Sequence, residues 1–329
     1  MKSKILFFLS VLAALSFADD NPLKTAMETL KQSKTMYSLK YLDKPIPVPD
    51  RSSMINVQAY REKTSDGFVV KNFKPTGDAK KFYDKAENYF GSHQYEKARD
   101  AYTLALQQDP KLYSAMTYIA QTYGIEKNWD KAELWYKKAI EANYIDFLAH
   151  WMLADIYQMK GQKEKALEEI SIAKVLNRNN PRLEAKRKEI YGVNGLNIRN
   201  WTFNPQVRIS RDSVTGKVNI QADSVWAYYA YVLAAWTYEP AYKARAKKSA
   251  MPETMFRECL MGFAPFMDNK SLKDSLEILK RLDKVLDARK VSNFIFYEIF
   301  LPDYPTAALY LDRKQIEDLK DYLIWVNQK

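Results

Sequence analysis

Tyr89, Tyr123 and Tyr157 stand 34 residues apart, and Ala86, Ala120 and Ala154 repeat the same step. Ala98, Ala132 and Ala166 keep it as well, as do Ala105, Ala139 and Ala173. A period of this length, with small residues at fixed phases, restricts the fold more than any other feature of the chain. Each period holds two helices and a turn, and one such hairpin cannot bury its apolar face alone. Neighbours must therefore stack, which predicts an array of helical hairpins rather than a globule closed around one pocket.

Further positions share the pattern. Phe82, Tyr102 and Pro110 join it in the first copy, Met116, Ile119 and Tyr136 in the second, and Leu153, Gly161 and Ile170 in the third. With these residues the stretch from Ala79 to Pro181 resembles the tetratricopeptide repeat (TPR) family in three consecutive copies. Lys85 departs from the family pattern, standing where a large apolar residue is usual. The resemblance implies that Ala86 and Ala98 lie where two antiparallel helices cross, with Tyr89 and Tyr102 filling the gaps between hairpins.

The resemblance also implies a groove lined by the first helix of each copy. Its residues would be Lys80, Tyr83, Glu87 and Phe90 in the first copy, and Ser114, Thr117, Gln121 and Ile125 in the second. The third copy would supply Leu148, Trp151, Asp155, Gln158 and Met159. An apolar wall with polar interruptions implies a protein or peptide partner, with Tyr83, Phe90 and Trp151 as anchors. One TPR subclass grips chaperone C-terminal carboxylates with lysine, arginine and asparagine. Tyr83, Glu87 and Leu148 occupy the corresponding places here, so that specificity is not expected. Whether the groove is open or filled by the chain itself stays undecided at this level.

Residues 1–18 read as a signal peptide. Lys2 and Lys4 precede an apolar stretch from Ile5 to Leu15, and Ser16-Phe17-Ala18 is a small-x-small site, so cleavage after Ala18 is expected. The apolar run is short for a membrane span. This predicts an exported protein, periplasmic or secreted, in a bacterial envelope. Cys259 is the only cysteine, so no internal disulfide can form, and Phe256, Leu260, Met261 and Phe263 around it suggest a buried thiol. The formal net charge is +11, two less once Lys2 and Lys4 leave with the signal. Export and the lack of any nucleic-acid motif argue against nucleic acid. An anionic membrane, cell-wall polymer or acidic protein suits the charge better, and a basic, solvated surface without a dedicated counterpart accounts for it most simply.

The remainder divides around the repeats. Residues 19–78 read as an extended lead segment, with a helix from Leu23 to Lys40 and a strand near Phe68-Val69-Val70. Pro45, Pro47 and Pro49 force an extended course between them. Residues 79–192 hold the three repeats and a capping helix from Arg182 to Tyr191. Residues 193–329 read as a mostly helical C-terminal domain of no recognised family. Alternation of Val207 and Ile209, then Val218 and Ile220, around Asp212–Gly216 predicts a β-hairpin at about 201–222. Val225–Tyr238 is apolar nearly all round and predicts a buried helix, capped by Asp223-Ser224. Further helices are expected at Pro252–Met267, Ser271–Val291, the latter capped by Ser271, and Arg313–Val326. The fold class is thus mainly α, a TPR-like solenoid followed by a helical domain bearing one hairpin.

Signals for chemistry are sparse. His93 and His150 fall in different copies, outside any metal-binding motif. There is no nucleophile elbow, phosphate loop or dinucleotide fingerprint. Glu253, Glu258 and Glu298 lie in an aromatic-rich region, where solvation of helix surfaces accounts for them better than paired-acid chemistry does. The basic run Lys243–Lys248 suits a solvated helix end or an acidic surface. These features predict a non-enzymatic, cofactor-free adaptor. The rival is a carbohydrate- or cell-wall-acting module in the C-terminal part, suggested by the tyrosines and tryptophans from Trp201 to Trp236.

Overall fold

The computed structural model describes residues 21–198, 201–247 and 251–328. The expected signal peptide and Lys248 lie outside them. Helix α1 (Pro22–Gln32) and strand β1 (Tyr37–Tyr41) come first, then an irregular proline-rich run and the hairpin β2 (Ala59–Thr64)–β3 (Gly67–Asn72). Seven helices follow, α2 (Gly77–Gly91), α3 (Tyr95–Gln108), α4 (Ser114–Ile125), α5 (Trp129–Ala142), α6 (Phe147–Met159), α7 (Lys163–Leu176) and α8 (Pro181–Val193). Strands β4 (Val207–Arg211) and β5 (Val218–Ala222) precede α9 (Ala227–Tyr238), α10 (Pro240–Ala246), α11 (Met251–Leu260) and α12 (Ala264–Met267). Next are α13 (Lys270–Ser275), α14 (Glu277–Asp287), α15 (Val291–Phe294), a π-helical stretch Ile295–Phe300, and α16 (Arg313–Val326).

The chain forms two compact units that do not follow its order. Among the described residues, one joins 51–198 to 301–328, and the other joins 21–50 to 201–247 and 251–300. The lead segment and the C-terminal part expected from sequence are each shared between them.

In the first unit α2 to α7 are three helical hairpins, and α8 continues their phase. Ala86, Ala98, Ala120, Ala132 and Ala154 are fully buried at the crossings, where only a methyl group fits between two backbones. Tyr102, Tyr136 and Ile170, again 34 apart, are sealed between neighbouring helices. The first helix of every hairpin, and α8 after them, ends in the same way. His93, Lys127, Gly161 and Gly195 adopt φ of 59°, 59°, 71° and 72°. The next amide then donates back to the carbonyl of Tyr89, Tyr123, Tyr157 or Tyr191, at 2.8, 2.9, 2.8 and 2.9 Å. This left-handed cap satisfies carbonyls that a helix end leaves open. Lys97, Lys131 and Lys165 lie over the rings of Tyr89, Tyr123 and Tyr157 at 5.7, 5.4 and 5.3 Å.

The opposite edge of the array carries a different row. Asp109, Asn143 and Asn177 follow the second helix of each hairpin, also at steps of 34. Asn177 accepts from the Asn56 amide at 2.8 Å and donates to the Asn56 carbonyl at 3.0 Å. Asn143 donates to the Ala59 carbonyl at 2.8 Å. Gln58 reaches Asp146 and Tyr118, and Lys111 pairs with Glu62 at 2.7 Å. The lead chain therefore runs along this edge from the third hairpin towards the first. Helix α16 starts with a reciprocal Asp312–Gln315 cap and packs on α7, where Ser171–Leu176 is buried without a break.

In the second unit β1 pairs in parallel with β5, which pairs antiparallel with β4. The hairpin expected at about 201–222 is present, but β1 was not expected. The helix expected from Leu23 to Lys40 stops at Gln32, because Tyr37, Leu39 and Tyr41 alternate with Ser38 and Lys40 and join the sheet. Helix α9 is interior, with Tyr229, Val232, Ala235 and Trp236 buried. Trp226 meets Phe203, Tyr229 and Phe263 at ring separations of 5.5, 5.3 and 5.0 Å. The helix expected at Pro252–Met267 tightens to a 3-10 turn at Met261–Phe263. There Gly262 lies against the α9 backbone, and a Cβ on it would stand 2.4 Å from the Tyr229 nitrogen. The helix expected at Ser271–Val291 is broken by an extended Leu276, and its cap is Asn269 rather than Ser271.

Candidate functional site

Three helices, α2, α4 and α6, present the residues that the sequence placed in the groove, and α8 follows them in the same phase. On α2, Lys80 is exposed and pairs with Asp84, while Glu87 is exposed and accepts from the Tyr102 hydroxyl. Tyr83 is half-buried, edge-on to Tyr102 and Tyr118 at 5.6 and 6.3 Å, and burial pushes its phenol pKa up. Phe90 is half-buried against Tyr95. On α4, Thr117 is fully buried and its hydroxyl donates to Asp146 at 2.9 Å, so it offers no free surface. Gln121 is half-buried and Ile125 is 45% exposed.

On α6, Leu148 and Trp151 are half-buried, and the Trp151 indole N–H is enclosed without an acceptor. Asp155 pairs with Lys186 of α8 at 2.9 Å, and Gln158 bridges to Glu189 and Lys186. Helix α8 thus ties itself to the third hairpin through the polar part of this face. Among the described residues no hydrogen bond or ring contact links residues 51–76 to Glu87, Gln121, Trp151, Asp155 or Gln158. The lead chain meets the starts of α4 and α6, where Gln58 bonds Tyr118 and Asp146 and the rings of Tyr60 and Phe73 meet Tyr113.

Sequence reasoning reaches two members of one row, Ile125 and Met159, and misses the third, Val193. Ile125, Met159 and Val193 are 45%, 62% and 49% exposed, and they stand 34 apart at the last turn of α4, α6 and α8. Other exposed aliphatics such as Leu104 and Leu134 fall at unrelated phases. Val193 was hidden because α8 was read as a polar cap, although the step from Met159 was there to be counted. The repeating geometry of caps, crossings and exposed row settles the architecture.

The array is TPR-like.

Solved structures resemble the TPR-like array at low sequence identity. One is the TPR domain of Arabidopsis OM64, 16% identical, with a TM-score of 0.33 over 35% of this chain and 95% of that one. Another is the first TPR of Spaghetti (RPAP3) bound to the HSP90 peptide SRMEEVD, 22% identical, with a TM-score of 0.34 over 36% and 93%. A third is the Yersinia enterocolitica type III secretion chaperone SycD in complex with a peptide of the translocator YopD. It is 17% identical, with a TM-score of 0.34 over 37% and 99%. No protein-family profile matches the chain, and no curated protein does.

Residues considered for chemistry are committed elsewhere. His93 is the left-handed cap of α2 and meets the Tyr95 hydroxyl at 2.8 Å. His150 is buried between Glu169 at 2.6 Å and the Tyr144 carbonyl at 3.0 Å. Burial pushes the Cys259 thiol pKa well up, away from nucleophilic use. Glu258 accepts from the Trp236 indole at 2.9 Å and pairs with Arg245, and Glu253 pairs with Arg257 at 2.7 Å. Among the described residues no cluster of histidine, cysteine and carboxylate could hold a metal.

Proposed function

We propose that this protein is a non-catalytic adaptor that holds a segment of a partner protein on the α2–α4–α6–α8 face. The observation that carries this reading is the row Ile125, Met159 and Val193, exposed at the period of the array itself. An aliphatic side chain left in water at one fixed phase of successive repeats forms a track, which isolated surface aliphatics do not. Rigid helices present that track, so docking orders the partner and leaves the adaptor largely as it is. The rings that suggested a carbohydrate site give no support to that alternative, since Trp226 and Trp236 are packed in the interior.

The signal-like residues 1–18 support action after export, in a bacterial envelope, with cleavage after Ala18. N-terminal sequencing of protein recovered from source cells should begin at Asp19. The net charge of +11 suits a place near anionic lipid or cell-wall polymer. The binding reading is tested by selecting displayed peptides on the full chain, then on a variant carrying Ile125→Ser, Met159→Ser and Val193→Ser. Enriched peptides should lose binding to the variant, whose core is untouched. Undiminished binding, or no enrichment on the parent chain, would overturn it.

A further inference from the structure

We infer that the segment held on this face is extended and cationic, with lysine or arginine at about every third residue. The inference rests on the adaptor reading above and adds the chemistry of the partner. Four residues before each exposed aliphatic stands a second row, Gln121, Asp155 and Glu189, continued on α2 by Glu87. Residues four apart share a helix face, so each of α4, α6 and α8 offers a polar group beside an aliphatic one. Three of the four members are carboxylates, in a chain whose net charge is +11. Asp155 and Glu189 share a single ammonium, Lys186, at 2.9 and 3.0 Å. Glu87 accepts from the Tyr102 hydroxyl and, among the described residues, has no cation at ion-pair distance. The strip is therefore short of positive charge while the whole chain has an excess.

A lysine or arginine side chain matches both rows at once, because its methylene stem covers an aliphatic neighbour while its head reaches a carboxylate. The spacing comes from the lead chain. Asn56 sits on Asn177 and Ala59 on Asn143, so three residues of extended backbone advance one repeat. At about 3.3 Å per residue that is about 10 Å, the separation expected of packed helices. The carboxylate row keeps the same 34-residue step, so a partner strand crossing it is assigned the same advance per repeat.

The test uses the full chain and two fluorescent peptides, one of repeated Lys-Thr-Leu triplets and one of Glu-Thr-Leu triplets, each long enough to cross the array. The lysine peptide should bind at least about tenfold more tightly at low salt, with the difference shrinking as salt is added. Glu87→Gln with Glu189→Gln should weaken it about fivefold, the scale of two exposed ion pairs, and leave the fold intact. The Ile125→Ser, Met159→Ser, Val193→Ser variant should weaken both peptides. If the glutamate peptide binds as well as the lysine peptide and remains sensitive to the serine variant, the face is a docking site and the cationic assignment is wrong. Indifference of the lysine peptide to the two glutamine changes overturns the assignment too. If neither peptide binds, or binding ignores the serine variant, the adaptor reading itself fails. Concentration-dependent dimers that exclude both peptides would make a second copy the occupant and refute the cationic segment.

Discussion

Asn177→Ala removes a side chain that holds the lead chain by both sides of one peptide unit. The Asn177 amide oxygen accepts from the Asn56 N–H at 2.8 Å, and its NH2 donates to the Asn56 carbonyl at 3.0 Å. Both asparagines are buried. Alanine therefore strands a backbone donor and a backbone acceptor away from water, each at about 1–3 kcal/mol. Partial entry of solvent at the edge of the array offsets some of this, so we expect a loss of about 3 kcal/mol. Asn143→Ala, which breaks one such bond to the Ala59 carbonyl, should lose about 1–2 kcal/mol. Asn177→Asp keeps the acceptor but turns a carboxylate oxygen towards a carbonyl, so it should be no better than alanine. Native-state hydrogen exchange is the direct assay, since the effect is local to the segment around Asn56. A loss of about 3 kcal/mol raises the open population by roughly two orders of magnitude, and amides of residues 56–64 should exchange faster by that factor. Unchanged exchange at those amides in Asn177→Ala would refute the view that this asparagine row fastens the lead chain.

Gly262→Ala should destabilise the unit containing α9 by about 3 kcal/mol, read in urea denaturation, because the added methyl meets the Tyr229 backbone nitrogen at 2.4 Å. Lys127→Gly should stabilise the array by about 0.5–1 kcal/mol in thermal melts, since φ of 59° is strained for lysine and free for glycine. His93→Gly should do the same, and a loss in either case would refute the capping role. Burial opposes ionisation of Glu184, but Lys174 and Arg187 outweigh it and hold the carboxyl pKa down at about 2, against 4.5 for a free glutamate. The stability this provides is complete above pH 4.5 and is lost as pH falls towards 2, about 2–3 kcal/mol in all. Burial also pulls the Lys174 ammonium pKa down, so the acid limb is the one that reports the pair. Glu184→Gln should flatten the acid limb of a stability–pH profile, and an unchanged slope would exclude this pair as its source.

The hairpin array was legible in sequence because its determinants are local and repeat. Ala86, Ala98 and their equivalents must be small for one steric reason, and that reason recurs every 34 residues. The strands β4 and β5 were legible for a similar reason, a two-residue alternation around a turn. What went unread depends on contacts between distant parts of the chain. Nothing near Tyr37 announces a parallel partner at Val218, and a short alternation can equally be read as one helical face. Leu276 continues an apolar stripe in phase, yet an extended backbone there divides α13 from α14. The groove residues split along the same line. Their phase follows from the repeat, but the burial of Thr117 follows from Asp146 in the next hairpin. Ile125 and Met159 follow from the repeat, whereas Val193 lies on a helix whose role as a cap hides its place in the same row.

The route of the polypeptide has a consequence for its synthesis. The chain leaves one unit and returns to the other after Asp50, between residues 198 and 201, and after Phe300. A nascent chain emerging from the ribosome therefore completes neither unit when its repeats appear. Helix α7 stays uncovered on the side that α16 later occupies until α16 itself has been made. Any product truncated before Leu301 displays that greasy stripe permanently, which marks it for chaperones and proteases as unfinished.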